Sequence, residues 1–116
     1  MLKLKKPLLP TLKEKKRYIV YRIISERKIN KDVSKDIIDK INSYLGVFEG
    51  AKAGIMNVTY NKNKQAGILK VSNKKLKETK SSISLINELN KQKVIITNIY
   101  VSGILKKAKN KLKNIE

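Results

Sequence analysis

The chain has 116 residues, and 28 lysines and arginines against 9 aspartates and glutamates give a formal net charge of +19. With no cysteine and no histidine, it lacks thiol nucleophiles, disulfides, imidazole bases and the usual zinc ligands, which excludes most familiar enzyme mechanisms. Such an excess of cations favours a polyanionic partner, with nucleic acid the leading candidate. There is no apolar run of transmembrane length and no signal-peptide pattern, so we expect a soluble, cytoplasmic protein with no membrane contact.

The first half of the chain predicts an arm, a strand and a helix. Residues 1–16 combine lysines with two prolines, which disfavour a helix or a central strand, so they predict an extended basic arm. Residues 17–24 are rich in β-branched and aromatic residues and predict the first strand. A helix is predicted from a cap at Asn30 to a stop at Gly46, because apolar residues recur at three- and four-residue spacing: Val33, Ile37, Ile38, Ile41, Tyr44 and Leu45.

The second half predicts a hairpin, a second helix, a last strand and a basic helical tail. After the small residues of 50–54, residues 55–60 and 66–71 read as two strands joined by a polar turn. The second helix is predicted from Asn73 or Lys74 to about Gln92 and Lys93, with Leu76, Ile83, Ile86 and Leu89 on one stripe. Residues 94–102 predict the final strand, which Gly103 ends.

This order of elements, βαββαβ, predicts an α+β two-layer sandwich of the ferredoxin-like or RRM-like kind. We expect a single domain made of a basic arm (1–16), a sandwich core (17–102) and a basic C-terminal helix (103–116). The two crossover helices should cover one face of the sheet. The other face is left to solvent, a partner, the tails or RNA.

Lysine-rich segments at both ends of the chain are the strongest sign of RNA binding. Clustered cations neutralise phosphates and position a protein on nucleic acid, although they do not read its sequence. The alternative is that they are solubilising tails in a lysine-rich proteome. The two clusters consist of Lys3, Lys5, Lys6, Lys13, Lys15, Lys16 and Arg17 in the arm, and Lys106, Lys107, Lys109, Lys111 and Lys113 in the tail.

Other candidate sites are weaker. An RRM stacks RNA bases on aromatic residues of its third strand, but that strand here reads AGILKVS, so core packing is the favoured role of the five tyrosines. Asp32, Asp36 and Asp39 share helical spacing but alternate with lysines, which indicates a solvated, ion-paired face rather than a magnesium site. We therefore predict no catalytic residues, no metal ligands and no cofactor bound by the protein.

Three segments resemble one known family, the archaeal ribonuclease P protein component 2, which is homologous to a protein subunit of eukaryotic ribonuclease P and MRP. They are PTLKEKKRYIVYRI (10–23), LGVFEGAKAGI (45–55) and YVSGILKKAKNKL (100–112). The resemblance extends from about Pro7 to Leu112, although the middle of the chain supports it by topology more than by motif.

The resemblance implies a noncatalytic subunit of the ribonucleoprotein that removes 5′ leaders from precursor tRNA. In that assembly the RNA subunit performs the hydrolysis with bound Mg²⁺, and the protein stabilises the RNA. The implied partners are ribonuclease P RNA, protein component 3 and the other protein subunits, with precursor tRNA an indirect one. The apolar surface that contacts the partner protein cannot be assigned from the sequence.

The resemblance also gives the residues expected to contact RNA. They fall into a basic N-terminal motif and a closing motif, in which Gly103 is expected to form a tight turn with positive φ. The expected residues are Lys13, Lys15, Lys16, Arg17 and Tyr18 in the first motif, and Ser102, Gly103, Lys106 and Lys107 in the second.

Two other functions fit parts of the same pattern. A ribosomal or other RNA-assembly protein would be equally basic, and it would recover ribosomal RNA in a pull-down. A protein-interaction or metabolite-binding module of ferredoxin-like fold would owe its charge to genome composition, and its RNA affinity would be weak with a shallow salt dependence.

Overall fold

The computed structural model describes residues 15–115, which form five strands and three α-helices. The part of the basic arm before Lys15, including Lys13, lies outside the described residues. In chain order the elements are β1 (Lys16–Ser25), α1 (Ser34–Ala53), β2 (Met56–Asn61), β3 (Ala66–Ser72), a 3-10 turn (Asn73–Lys75), α2 (Leu76–Leu85), β4 (Glu88–Leu89), β5 (Gln92–Ser102) and α3 (Leu105–Lys113).

The strands form one sheet in the order β2-β3-β1-β5-β4, and every neighbouring pair is antiparallel. Without the two-residue β4, this is the strand order of a ferredoxin-like βαββαβ sandwich, so the predicted fold class is confirmed. β1 lies at the centre, between β3 and β5. The beginning of β1 therefore lies beside the end of β5, and the two predicted RNA-contact segments are neighbours in the sheet.

The main core lies between one face of the sheet and helices α1 and α2. Alternate residues of β1, among them Ile19, Tyr21 and Ile23, point to this face, because side chains of a strand alternate between its two sides. They pack against Ile37 of α1 and Ile83 of α2, which are fully buried. This layer is the one that the apolar spacing of the two helices predicts.

The other face of the sheet is partly covered by α3, so the C-terminal tail fills the position that the sequence left open. Val20 and Ile68 form a second buried cluster with Ala108, Leu112 and Ile115. The lysines that follow Leu105 point outward, because apolar residues at three- and four-residue spacing occupy the inner side of α3. The tail is therefore both part of the core and a basic surface.

Helix α1 departs from its predicted limits at both ends. It begins at Ser34 rather than near Asn30, and the Asp32 carboxylate accepts hydrogen bonds from the Ser34 N–H (2.8 Å) and hydroxyl (2.6 Å). Gly46 adopts a non-helical conformation (φ 87°), but the helix resumes beyond it as far as Ala53. The predicted stop is therefore a kink, and Gly54, in the left-handed region, ends the helix.

Helix α2 is shorter than predicted. It ends at Leu85, and Ile86, expected on its apolar stripe, has an extended backbone. Asn90 and Lys91 both have positive φ and form the two-residue turn of a small hairpin between β4 and β5. Ile86 and Leu89 are buried in the main core as predicted, but from this hairpin region rather than from a helix.

An ion pair joins α1 to the turn before α2. The Lys75 ammonium contacts the Glu49 carboxylate, and it lies 3.8 Å from the Glu78 carboxylate. The hydrogen bond from Lys75, and then its charge, lower the pKa of Glu49, and the same hydrogen bond raises the pKa of Lys75.

We expect this ion pair to make the stability of the fold weakly dependent on pH in the acidic range. Because the folded-state pKa of Glu49 is lowered, its ionised carboxylate stabilises the fold at pH values above the unfolded-state pKa of about 4.3. This stabilisation is lost as the pH falls through the folded-state pKa. Urea unfolding at about pH 6 and about pH 3 should show a smaller loss of stability in Glu49→Gln than in the unchanged chain. Both groups reach solvent, so the difference is small. Equal losses in the two proteins would contradict this assignment.

Several large apolar side chains within residues 15–115 remain exposed to solvent. Val47 and Phe48, which follow the kink at Gly46, are 84% and 81% exposed. Ile24 and its cross-strand partner Ile95 are 53% and 65% exposed, close to the C-terminal end of β1. None of the helices within residues 15–115 has the length and apolar character needed to cross a bilayer.

Candidate RNA-binding surface

The pairing of β1 with β5 brings the two predicted motifs together from opposite ends of the chain. In this register Tyr18 lies opposite Ser102, and Ile19 lies opposite Val101. Lys16 and Arg17, at the start of β1, are therefore adjacent to the turn at Ser102 and Gly103. The two motifs form one surface at one end of the sheet, which we call the motif surface.

Gly103 lets the Arg17 guanidinium approach the backbone closely at this surface. A Cβ atom added at Gly103 would lie 2.9 Å from Arg17 Nη1, closer than real Cβ contacts. The guanidinium also donates a hydrogen bond from Nη1 to the Lys16 carbonyl oxygen (3.1 Å). The expectation of a positive φ at Gly103 is wrong, since among the described glycines only Gly46 and Gly54 adopt one. Gly103 provides space for Arg17 rather than an unusual backbone conformation.

Ser102 shapes the connection from β5 to α3. Its hydroxyl oxygen accepts a hydrogen bond from the Ile104 N–H at 3.0 Å. α3 begins two residues after Gly103, so its exposed lysines Lys106 and Lys107 are attached directly to the motif surface. The first turn of α3 has no acidic residue, although a helix N-terminus favours negative charge. Lysines at this end of a helix form a favourable place for an external anion such as a phosphate.

Lys15 and Lys70 extend the positive charge around the motif surface. Lys15 is exposed, and its carbonyl oxygen accepts a hydrogen bond from the Asn73 N–H at 2.8 Å. Lys70 of β3 lies opposite Tyr18 in the register. Sequence reasoning missed Lys70, because its position beside the first motif depends on the pairing of β1 with β3, which no local pattern reveals.

The tyrosines are mostly part of the two cores, as favoured from the sequence. Tyr21 is fully buried and stacks on Tyr60 with ring centroids 6.4 Å apart. Burial raises the pKa of both, that of Tyr60 to about 12. Tyr18 and Tyr100 are partly buried against the cluster under α3, and Tyr44 is 46% exposed on α1. The role of Tyr18 in RNA contact stays a prediction, and its ring is not on an open sheet face.

The aspartates of α1 do not form a metal site. Asp32 holds the first turn of the helix, whereas Asp36 and Asp39 are exposed to solvent. Within residues 15–115, no group of three or more acidic, histidine or cysteine side chains is placed to hold a metal ion.

Comparison with known proteins identifies the family. A sequence profile of the Rpp14/Pop5 family matches residues 17–113, from the start of β1 to the end of α3. The chain belongs to the Rpp14/Pop5 family. The resemblance found in the sequence is therefore confirmed, and it includes the middle of the chain, where the motifs were weakest.

Individual relatives of this Rpp14/Pop5 chain agree in name. A ribonuclease P protein component 2 from Thermococcus gammatolerans is 39% identical over 103 residues, which cover 88% of this chain and 86% of the relative. Proteins of the same name from Pyrococcus furiosus (36% over 107 residues, 91% and 89% coverage) and Methanococcus maripaludis (37% over 106 residues, 90% and 78% coverage) are similar in the same way. A chain in a cryo-EM structure of yeast ribonuclease MRP has the same fold, with a TM-score of 0.63, 11% identity and 89% coverage of each chain.

The contact of Arg17 with Gly103 leads to a prediction for this Rpp14/Pop5 chain. We expect Gly103→Ala to displace the guanidinium and to weaken RNA binding by up to the roughly fivefold that one phosphate contact supplies at about 0.15 M salt. Stability should change little, because the atom that must move is the far end of a flexible side chain. Fluorescence anisotropy and thermal unfolding measure the two effects.

Gly50→Ala is a matched control for that experiment. Its added Cβ would lie 2.9 Å from Asn42 Oδ1, also a side-chain end, but on α1, and neither residue belongs to the motif surface. RNA affinity should be unchanged in this variant. Equal affinity of the Gly103 and Gly50 variants would remove the Arg17 position from the interface.

Proposed function

We propose that this chain is the noncatalytic protein subunit of ribonuclease P that binds and stabilises the catalytic RNA during 5′ maturation of precursor tRNA. The observation that carries the proposal is the meeting of the two basic motifs on one surface of an Rpp14/Pop5 fold. Arg17 and Gly103, at opposite ends of the chain, are in direct proximity there. Relatives named as ribonuclease P components, similar over most of the chain, support the same reading.

In this proposal the protein neutralises phosphates and the RNA performs the chemistry. A folded RNA core crowds phosphates together, and cations from Lys15 to Arg17 and from α3 lower the cost of that compact state. The Mg²⁺ ions that hydrolysis needs are bound by the RNA, with no cofactor on the protein. The chain contains neither cysteine nor histidine, which agrees with a structural role.

The same proposal gives the partners and the location. The partners are ribonuclease P RNA, protein component 3 and the other protein subunits, and precursor tRNA is contacted indirectly. The location is the cytoplasm. A chain of formal charge +19 that also exposes Phe48 and Ile95 to solvent has both charged and apolar surface to offer an assembly.

Reconstitution tests the proposal. The chain is mixed with ribonuclease P RNA and component 3, and cleavage of precursor tRNA is measured at limiting Mg²⁺. We expect cleavage only when both proteins are present, and at lower Mg²⁺ than the RNA needs alone. Omitting either protein and heat-denaturing this chain provide the controls. Unchanged cleavage on adding the chain, or recovery of ribosomal rather than ribonuclease P RNA with a tagged chain, would contradict the proposal.

A further inference from the structure

A second concentration of cations lies toward the other end of β1 from the motif surface. Arg22, Lys28 and Lys64 line a hollow of about 270 Å³. They come from β1, from the loop between β1 and α1, and from the turn between β2 and β3. Each charged side chain among the described residues of the lining is a cation. The lining is completed by Ile23, Ile24, Ser25, Asn63 and Gln65.

A buried glutamine holds the parts of this hollow together. The Gln65 side-chain amide donates hydrogen bonds to the Ile23 carbonyl oxygen and the Ser25 hydroxyl, both at 3.1 Å. Its side-chain oxygen accepts one from the Ile29 N–H at 2.6 Å. Gln65 is 8% exposed, so these bonds are shielded from water. The loop that carries Lys28 is thereby fixed beside the turn that carries Lys64.

Lys64 is held in place by the end of α3. Its ammonium donates hydrogen bonds to the carbonyl oxygens of Lys113 (2.6 Å) and Leu112 (3.3 Å). An ammonium has three N–H donors, so one is left for a ligand. α3 therefore begins at the motif surface and ends at the hollow, and its exposed lysines lie between the two.

We propose that this hollow binds a backbone phosphate of the RNA. Its volume is below the roughly 300–1,000 Å³ of pockets for organic ligands, which suits a small anion. Arginine and lysine side chains from separate elements can surround the oxygens of a phosphate. The inference rests on the proposed function and adds to it a second contact point, outside both motifs.

Two contact points give the RNA an orientation that one cannot. Tyr18 of the motif surface and Arg22 are four residues apart on the face of β1 that α3 covers, which corresponds to about 13 Å along the strand. The exposed lysines of α3 make the positive charge continuous over this distance, as a long polyanion requires. An acidic segment of a partner protein could bind to the hollow alone and would not need continuous positive charge between the hollow and the motif surface. A nucleic acid is therefore the favoured occupant.

The test compares two double variants of equal charge. Arg22→Gln with Lys28→Gln removes two cations from the hollow and leaves the Lys64 bonds to α3 intact. Lys77→Gln with Lys80→Gln removes two exposed lysines of α2, on the other face of the sheet. Binding of each to a ribonuclease P RNA transcript is measured by anisotropy over a range of salt concentrations.

We expect the hollow variant to lose affinity by up to about 25-fold at about 0.15 M salt, and its log-log salt slope to fall by up to about 1.8, for two contacts. The α2 variant should match the unchanged chain. Combined with alanine at Lys15, Lys16 and Arg17, the losses should multiply, because independent sites are additive in free energy. Thermal unfolding verifies the fold, and Lys28→Glu, at an exposed loop position, tests the same site if the double variant unfolds.

The outcomes separate this inference from the proposed function. If the hollow variant binds RNA as well as the α2 variant does, while the motif variant is weakened, the hollow is not an RNA site and the proposed function stands. The inference also fails if the hollow variant keeps its RNA affinity but loses binding to component 3, since the hollow is then a protein site. If the unchanged chain does not bind the RNA, both proposals fail.

Discussion

Replacing Lys15, Lys16 and Arg17 together with alanine should lower the affinity for ribonuclease P RNA by up to about 100-fold at about 0.15 M salt. Each duplex-phosphate contact contributes about 0.9 to the log-log salt slope, so the slope should fall by up to about 2.7, and by less for single strands. Arg17 has the largest expected share, because its guanidinium donates a hydrogen bond to the Lys16 carbonyl oxygen and is therefore oriented before the RNA binds. Anisotropy titrations at several salt concentrations measure both quantities.

The matched control for this experiment replaces Lys77, Lys80 and Lys91 with glutamine. These three lysines are exposed, and none belongs to the motif surface or to the hollow. Both triple variants remove three positive charges, so a general effect of net charge would weaken them equally. Equal weakening, or an unchanged slope in the motif variant, would remove the motif surface from the RNA interface.

Replacing Leu112 with alanine should lower the free energy of unfolding by about 2–3 kcal/mol, in the lower part of the range for buried leucines. Leu112 is 8% exposed and packs with Val20 and Ile68 in the cluster between α3 and the sheet. Removing its side chain loses apolar burial and leaves a cavity at the edge of that cluster. Urea unfolding followed by circular dichroism measures the change.

Lys111→Ala, at the preceding position of α3, is the control for stability. Lys111 is exposed, so its replacement should change the free energy of unfolding by no more than about 0.5 kcal/mol. Its effect on RNA binding should be that of one phosphate contact at most. A Leu112 variant as stable as the Lys111 variant would mean that α3 does not pack on the sheet.

The sequence predicts the strands and the fold class well, because their signals are local. The β-branched runs around Ile19 and Ile96 stand out in any window, and the order of elements admits few topologies. The errors lie where a short backbone feature overrides periodicity. Gly46 bends α1 instead of ending it, and the turn at Asn90 and Lys91 converts the expected end of α2 into a hairpin.

The candidate site is predictable only in part. The motif residues could be named from resemblance, but their meeting depends on the antiparallel register of β1 with β5, which joins the two ends of the chain. Lys70 and the hollow at Arg22 depend on further pairings of that kind. The sequence also does not show why residue 103 is glycine, because a close approach by Arg17 and a positive φ both favour glycine at a position.

The central position of β1 has a consequence for synthesis of the protein on the ribosome. A nascent chain that has reached only β3 has one hydrogen-bonded edge of β1 unpaired, and Val20 and Ile68 are not yet covered. Such an intermediate tends to aggregate. It also lacks Ser102 and Gly103, so half of the motif surface does not yet exist. Translation products that end before β5 lack half of the proposed RNA contacts, so they would bind the RNA more weakly than a chain extended through α3.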